Sequence, residues 1–463
     1  MNNFFERLNE WVRTSVTIRM LSVAFLILLL LIPASMIESL IREREMRQQD
    51  VIREISSKWS GPQTLTGPIL SIPYDAYERA NDGKMVKVTQ WAHFLPESQA
   101  VTGQLAPQTR RRGLYEAVVY NAQLQFAGRF PSPDFSELGI APDQVHWNDA
   151  LVAVGISDMR GIEKEIQLQW AGQTYALNSG IETRDVLPGG ASVKVRVAEG
   201  AGRYEYRFDL ELKGSQSVFF VPVGRETNVT LQSDWPTPSF DGAFLPAERD
   251  VTETGFQAKW HVLHLNRQYP QQWKGSAYHL ATEASPRYGI EPALQQSDQA
   301  AFGVHLLVPV DQYQKSMRTA KYAIMLIALT FVVFFFIEIL TRRNIHPIQY
   351  ILVGLALCVF YTLLLSLSEQ IGFNAAYAVA ALATIGLITA YVSSIFKNGR
   401  LTALMAGILT VLYGFIFVVL QLEDYALLLG SIALFVLLAV LMWLTRRIDW
   451  YQFGKKPPQE ELA

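Results

Sequence analysis

The run of residues 322–337 constrains this chain more than any other stretch. It holds no charged side chain and, carried on to Leu340, reaches about the 20 residues that a helix needs to cross a bilayer core. It closes on Arg342-Arg343, followed by His346-Pro347. Upstream lies a long polar region punctuated by Gly and Pro, whereas downstream the chain is almost wholly apolar as far as Arg446. A chain so divided is a membrane protein with one large soluble domain. Its overall 50% hydrophobic and 18% charged residues average two unlike parts.

Several function classes drop out at once. A formal net charge of -2 with no long Lys/Arg run predicts no nucleic-acid partner. The single cysteine, Cys358, falls within an apolar run, so neither a disulfide framework nor a Cys-based metal site is expected. There is no phosphate-binding Gly-x-x-x-x-Gly-Lys loop, no His-Glu-x-x-His and no Gly-x-Ser-x-Gly elbow. His261 and His264, on a strand, point to opposite faces and cannot chelate one ion. The expectation is therefore no catalytic residue, no cofactor and no metal.

In chain order, residues 1–19 form a short polar start, and 20–37 an uncharged run at the lower end of the spanning range. A cleavable leader is the competing reading, but no clean small-residue cleavage site follows, so the run reads as a retained span. Apolar residues keep helical spacing through 38–60, with Glu38/Arg42 and Glu43/Arg47 spaced to pair. This juxtamembrane helix should stop at Ser60-Gly61-Pro62.

From 61 to 317 the period changes to two. Segments 86–94, 166–170, 193–197 and 204–212 alternate apolar and polar residues as half-buried strands do. Further strands are expected at 114–126, 151–156, 217–223, 228–233, 255–263 and 302–308, separated by turns such as Asn81-Asp-Gly83, Pro188-Gly-Gly190 and Lys213-Gly214. Helical pieces are expected near 132–139 and 273–282. Asp158-Met-Arg160-Gly161 reads as a turn closed by the Asp side chain, and Trp235-Pro-Thr-Pro238 as a rigid loop or edge segment. So many strands imply a large, mainly antiparallel β-sandwich.

Further spans are expected at 318–340, 350–367, 375–396, 401–421 and 425–444, with a tail at 445–463. The basic loop Lys397-Asn-Gly-Arg400 alternates with the acidic turns at Ser368-Glu369 and Glu423-Asp424, which places both termini in the cytoplasm and makes six spans. Ala376, Ala380, Gly386, Ala390, Gly407 and Gly414 are candidate close-packing positions. Glu338 and Glu369 are the candidate functional acids at the two membrane surfaces, both expected to snorkel outward.

The chain also resembles the CreD family of bacterial inner membrane proteins, described as cell envelope integrity proteins. The residues that carry the resemblance run nearly end to end: Ser60-Gly-Pro-Gln63, Leu95-Pro-Glu-Ser98, Asp158-Met-Arg-Gly161, Gly255-Phe-Gln-Ala258, Ala320-Lys-Tyr-Ala-Ile324, His346-Pro-Ile-Gln-Tyr350 and Ile448-Asp-Trp-Tyr451. The resemblance implies a location in the inner membrane with the β domain in the periplasm. It also implies control by a two-component system and links to colicin tolerance and β-lactam response. It supplies no catalytic residue. The partners expected are the lipid bilayer and an unidentified envelope protein, lipid or glycan at the periplasmic domain. The function expected is non-enzymatic envelope maintenance, with a transporter or flippase as the alternative.

Overall fold

The computed structural model describes residues 16–79, 85–200, 202–280, 300–307, 312–341, 345–422 and 425–446. The start at 1–15, the Asn81-Asp-Gly83 turn, Arg342-Arg343, Glu423-Asp424 and the tail beyond 446 lie outside them. The chain divides into two compact units, one of Met1–Arg47 with Val310–Ala463 and one of Gln48–Pro309.

The helical unit contains most of α1 (Val16–Trp59), then α2 (Gln312–Lys321), α3 (Ala323–Thr341), α4 (Pro347–Ile371), α5 (Phe373–Phe396), α6 (Gly399–Gln421) and α7 (Ala426–Thr445). The expected span 20–37 and juxtamembrane stretch 38–60 are one helix, which stops at Trp59 before Ser60-Gly61-Pro62 as the helix-breaking residues require. Among the described residues five helices are long and apolar enough to cross a membrane, not six. The sixth run forms α7, whose described apolar part, Leu428–Val440, is shorter.

Close packing falls on only some of the expected small residues. Ala376 and Ala380 are buried, but Gly386, Gly407 and Gly414 have open space where a side chain would stand. Small residues on a lipid-facing side cost nothing in a bilayer, so their spacing marks an interface only when a neighbour is present. The tight contact is at Gly354, where a Cβ would come within 2.1 Å of Leu30 and 3.0 Å of Phe331.

The other unit is built from strands, in chain order β1 (Gln63–Arg79), β2 (Met85–Phe94), β3 (Ser98–Arg112), β4 (Tyr115–Phe130), β5 (Leu151–Ile156), β6 (Gln167–Trp170), β7 (Gln173–Ala176), β8 (Asn178–Ser179), β9 (Gly190–Lys194), β10 (Tyr204–Ser215), β11 (Ser217–Val221), β12 (Glu226–Ser233), β13 (Pro238–Gly242), β14 (Glu248–Thr252), β15 (Gly255–Leu263), β16 (Gln272–Lys274) and β17 (Phe302–Leu306). They form a nine-stranded sheet, ordered β13-β17-β11-β1-β5-β9-β8 with β2 and β16 added beside β1, and an eight-stranded sheet, ordered β14-β15-β12-β3-β4-β10-β6-β7. Both sheets are mixed, since β1 runs parallel to β11 and β3 parallel to β12.

One apolar core draws on both sheets. Trp260 of β15 packs against Phe302 of β17 and Phe240 of β13, each with ring centroids 5.7 Å apart. Phe126 stacks on Phe208 at 4.7 Å, and Trp170 on Tyr204 at 5.2 Å. The eight-stranded sheet buries one face along β10 and β12, whose residues alternate accordingly, while residues 117–120 of β4 are covered on both faces. The nine-stranded sheet is covered on its other face too, by a second cluster containing Ile69, Leu187, Val223, Tyr269 and Trp273. Residues 63–74 of β1 and all of β5 are buried as a result.

Two local expectations fail. Residues 132–139 make turns and no helix: Pro131 and Pro133 remove backbone donors, and the Asp134 carboxylate accepts from the Ser136 amide and hydroxyl at 2.9 and 2.6 Å. The expected helix near 273–282 begins instead with β16, whose Trp273 pairs with His93 of β2 and is buried; Thr282 lies outside the described residues.

Candidate functional site

The two acids singled out in the membrane part lie far apart. Glu338 sits on α3, only 4% exposed, and does not snorkel. The Tyr350 hydroxyl donates to its Oε2 at 2.8 Å and the Ile345 amide to its Oε1 at 3.4 Å. Ile345, just before α4, and Tyr350 of α4 thus supply internally the partners that water would otherwise provide. Glu369, on α4, is also largely covered; the Tyr313 hydroxyl donates to it at 2.9 Å and an Arg44 guanidinium nitrogen lies 3.9 Å away. Tyr350 and Glu369 are nineteen residues apart on one helix, so the two acids are separated by roughly 28 Å of helix rise. They form two tyrosine–carboxylate pairs and no common site.

Between them α4, α5 and α6 enclose an aromatic cluster that sequence reading missed. Phe360 meets Tyr361, Tyr377 and Tyr413 at 4.9, 5.4 and 4.8 Å. The Tyr377 hydroxyl donates to the Tyr413 carbonyl at 2.8 Å, while the hydroxyls of Tyr361 and Tyr413 are buried without a hydrogen-bond partner among the described residues.

The densest polar constellation in the β unit joins two motifs read separately in the sequence. Gln63, fully buried, donates through Nε2 to Ser60 Oγ and to the carbonyls of Asp158 and Lys213, all at 3.0 Å. Its Oε1 accepts from the Ser157 hydroxyl at 3.2 Å and the Asp158 amide at 3.3 Å. Asp158 accepts from the Gly61 amide at 2.9 Å and, through both oxygens, from Arg160 at 2.9 and 2.7 Å. Arg160 then donates to the Ser57 carbonyl at 2.8 Å, in the last turn of α1, where a cation complements the helix dipole. The Arg160 guanidinium, together with the amides aimed at it, holds the Asp158 carboxyl well below the usual carboxylate range.

The expected Asp-closed turn is present as a 3-10 turn over Met159–Gly161, capped by Asp158, and it serves to fasten the helix end. Gly161 is required by close approach, because a Cβ there would lie 2.3 Å from the Lys213 carbonyl. The Arg110 guanidinium and the Lys213 ammonium each lie over the Trp59 ring, 4.9 Å from its centroid. Arg112 and Lys58 pair with Glu54 and hold its carboxyl down at about 2.

A set of buried Ser71 and His93 with the half-buried Asp185 was also invisible in the sequence. Ser71 Oγ is 2.8 Å from His93 Nδ1, and His93 Nε2 is 3.7 Å from Asp185. It is not an acyl-transfer site: Ser71 is buried in β1, hydrogen-bonded between neighbouring strands, so no substrate carbonyl reaches it. Burial lowers the His93 pKa, which keeps the ring neutral at neutral pH. His261 bonds Asn228 instead of a partner histidine, at 2.8 Å. Among the described residues no group of three or more His, Cys, Asp or Glu side chains could hold a metal ion.

A bundle of apolar helices carrying a two-sheet unit inserted after its first helix defines a multi-pass membrane protein. The family model described as "Inner membrane protein CreD" matches residues 15–451. The protein "Inner membrane protein CreD" of Escherichia coli (strain K12) is 37% identical over 444 residues, covering 94% of each chain. The chain belongs to the CreD family of multi-pass inner membrane proteins.

Proposed function

We propose that this chain is a non-enzymatic inner membrane protein whose sheet unit stands in the periplasm, engages an envelope component and so contributes to envelope integrity under stress. The observation that carries this reading is the cluster at Gln63, Asp158 and Arg160: within the sheet unit it fastens the last turn of α1 to the strands through one fully buried amide and the Asp158–Arg160 ion pair. A sheet unit that orders its own entering helix end in this way is suited to presenting a surface. In the same reading the two sheets form a sandwich, α7 is the sixth span and both termini are cytoplasmic, as the basic 397–400 loop favours. Alkaline phosphatase fused after position 200 is expected to be active, and fused after position 400 or 455 inactive; the reverse pattern rejects the orientation.

A second reading, a carrier for an envelope component, is favoured by the covered Glu338 and by the Tyr361 and Tyr413 hydroxyls inside the bundle. Substituting Glu338→Gln and Glu369→Gln separates the two. Retained envelope resistance at unchanged protein level is expected of a presenting protein, whereas outright loss with normal insertion would establish the carrier.

A further inference from the structure

The outer face of the eight-stranded sheet carries a line of side chains that no role above employs. Gln257 on β15, Gln232 on β12, Gln104 on β3 and Gln123 on β4 are successive register partners. They therefore form one transverse row across four neighbouring strands, with about 4.8 Å from each to the next. Asp250 on β14 ends the row on one side and Glu211 on β10 on the other. All four amides are exposed, and among the described residues none of their side chains hydrogen-bonds another residue. Elsewhere on this face several polar groups pair with one another: Gln125 donates to Asp209 at 3.0 Å, Lys259 to Glu248 at 2.8 Å, and His261 bonds Asn228 at 2.8 Å. At the β14 end, Gln104, Gln232, Asp250 and Gln257 rim a shallow depression of about 470 Å³.

The chemistry of this row selects its ligand. A primary amide donates two hydrogen bonds and accepts through its carbonyl, which matches sugar hydroxyl and acetamido groups that also do both. The row itself holds no cation, Asp250 is a carboxylate at one end, and Glu211 at the other is already paired with Lys164 at 2.6 Å, so an anionic lipid headgroup or nucleic acid gains little along the four amides and is repelled at the β14 end. An extended peptide would add to an open sheet edge and not lie across a face. The strand spacing is comparable to the length of one pyranose ring, so a linear polymer can offer one sugar to each strand.

We propose that the Gln104/Gln123/Gln232/Gln257 row is a binding surface for an uncharged linear glycan of the N-acetylhexosamine type, one sugar per strand. That such a polymer is met in the cell rests on the periplasmic placement of the sheet unit proposed above. The row supplies several weak contacts, so affinity grows with chain length.

The test uses the full chain in detergent, titrated calorimetrically with a β-1,4-linked N-acetylglucosamine hexamer and dimer, and co-sedimented with purified peptidoglycan sacculi. The hexamer should bind more tightly than the dimer. The doubly substituted Gln104→Ala, Gln232→Ala chain should bind it about tenfold more weakly, the equivalent of losing one or two hydrogen bonds. Gln169→Ala, on β6 and the same face but outside the row, should bind as the unsubstituted chain does. Absence of hexamer and sacculus binding by the unsubstituted chain, or equal binding by the double variant, overturns the proposal. The assay on solubilised protein is independent of membrane orientation, which the phosphatase fusions decide separately.

Discussion

Trp260→Ala should lower the stability of the sheet unit by about 3–5 kcal/mol, the range for removing a large buried aromatic. Trp260 is 2% exposed, and its ring meets Phe240 and Phe302. Those two rings belong to the nine-stranded sheet and Trp260 to the eight-stranded one, so the substitution opens the space between the sheets. The indole nitrogen also donates to the Phe244 carbonyl at 3.2 Å, and truncation leaves that acceptor without its partner. Trp260→Phe keeps most of the contact area and should cost less than half as much. Pulse proteolysis across a urea series in detergent reads both. An unshifted midpoint for Trp260→Ala would contradict a core shared by the two sheets.

Asp158→Ala should cost about 1–3 kcal/mol, because it strips the ion pair and leaves the Gly61 amide without its acceptor at the helix end, while the exposed Arg160 keeps the Ser57 carbonyl. The effect should be local: protease cleavage near Ser57 to Gln63 should appear before the core of the sheet unit opens. Restoring charge balance with Arg160→Ala should recover little, since Gly61 still lacks its acceptor, so a double-mutant cycle will show strong coupling. The pH dependence has a definite sign. The folded-state pKa of Asp158 is depressed, so its stabilisation is fully present above the ordinary carboxylate value of about 3.9 and is lost as pH falls below it. In the Asp158→Ala chain the loss between about pH 4 and 2 should be correspondingly smaller. A variant as stable as the parent at pH 7 would show that the junction contributes nothing.

Because burial in a single face writes a regular pattern, composition and period alone pointed to the long apolar helices and most strands, though not to the turns at 132–139 or the strand at 272–274. Tyr204–Ser215 alternates cleanly since one side meets the core and the other meets water. β1 escaped notice for the opposite reason. Covered on both faces, it shows no alternation, and Pro68 and Pro73 look like strand breakers until a register shift near Gly67 and the change of partner from β11 to β2 accommodate them. Its parallel pairing with β11, some 150 positions away, has no local signal at all.

The candidate acids were legible as residues and not as environments. A carboxylate in an apolar run is conspicuous in one dimension, but whether water or a tyrosine satisfies it depends on which helix lies alongside. Glu338 was expected at the surface and is instead held by Tyr350, twelve positions later. The same limit applies to Ser60-Gly-Pro-Gln63 and Asp158-Met-Arg-Gly161, each readable as a breaker or a turn.

Hydrophobic periodicity and charge thus determined from sequence alone that the chain has a part built of apolar helices and a β unit, and that the first helix stops before Ser60-Gly61-Pro62. These are local properties, set by what each segment must bury and by which residues break a helix. Tertiary structure alone decided that Gln63 reaches Asp158 and Lys213, that Leu30 packs into the space left by Gly354, and that four glutamines from four strands fall into one row. Each of these depends on the register or crossing of segments distant in the chain, and register is chosen by the summed packing of whole sheets and helices, which no short stretch of sequence carries.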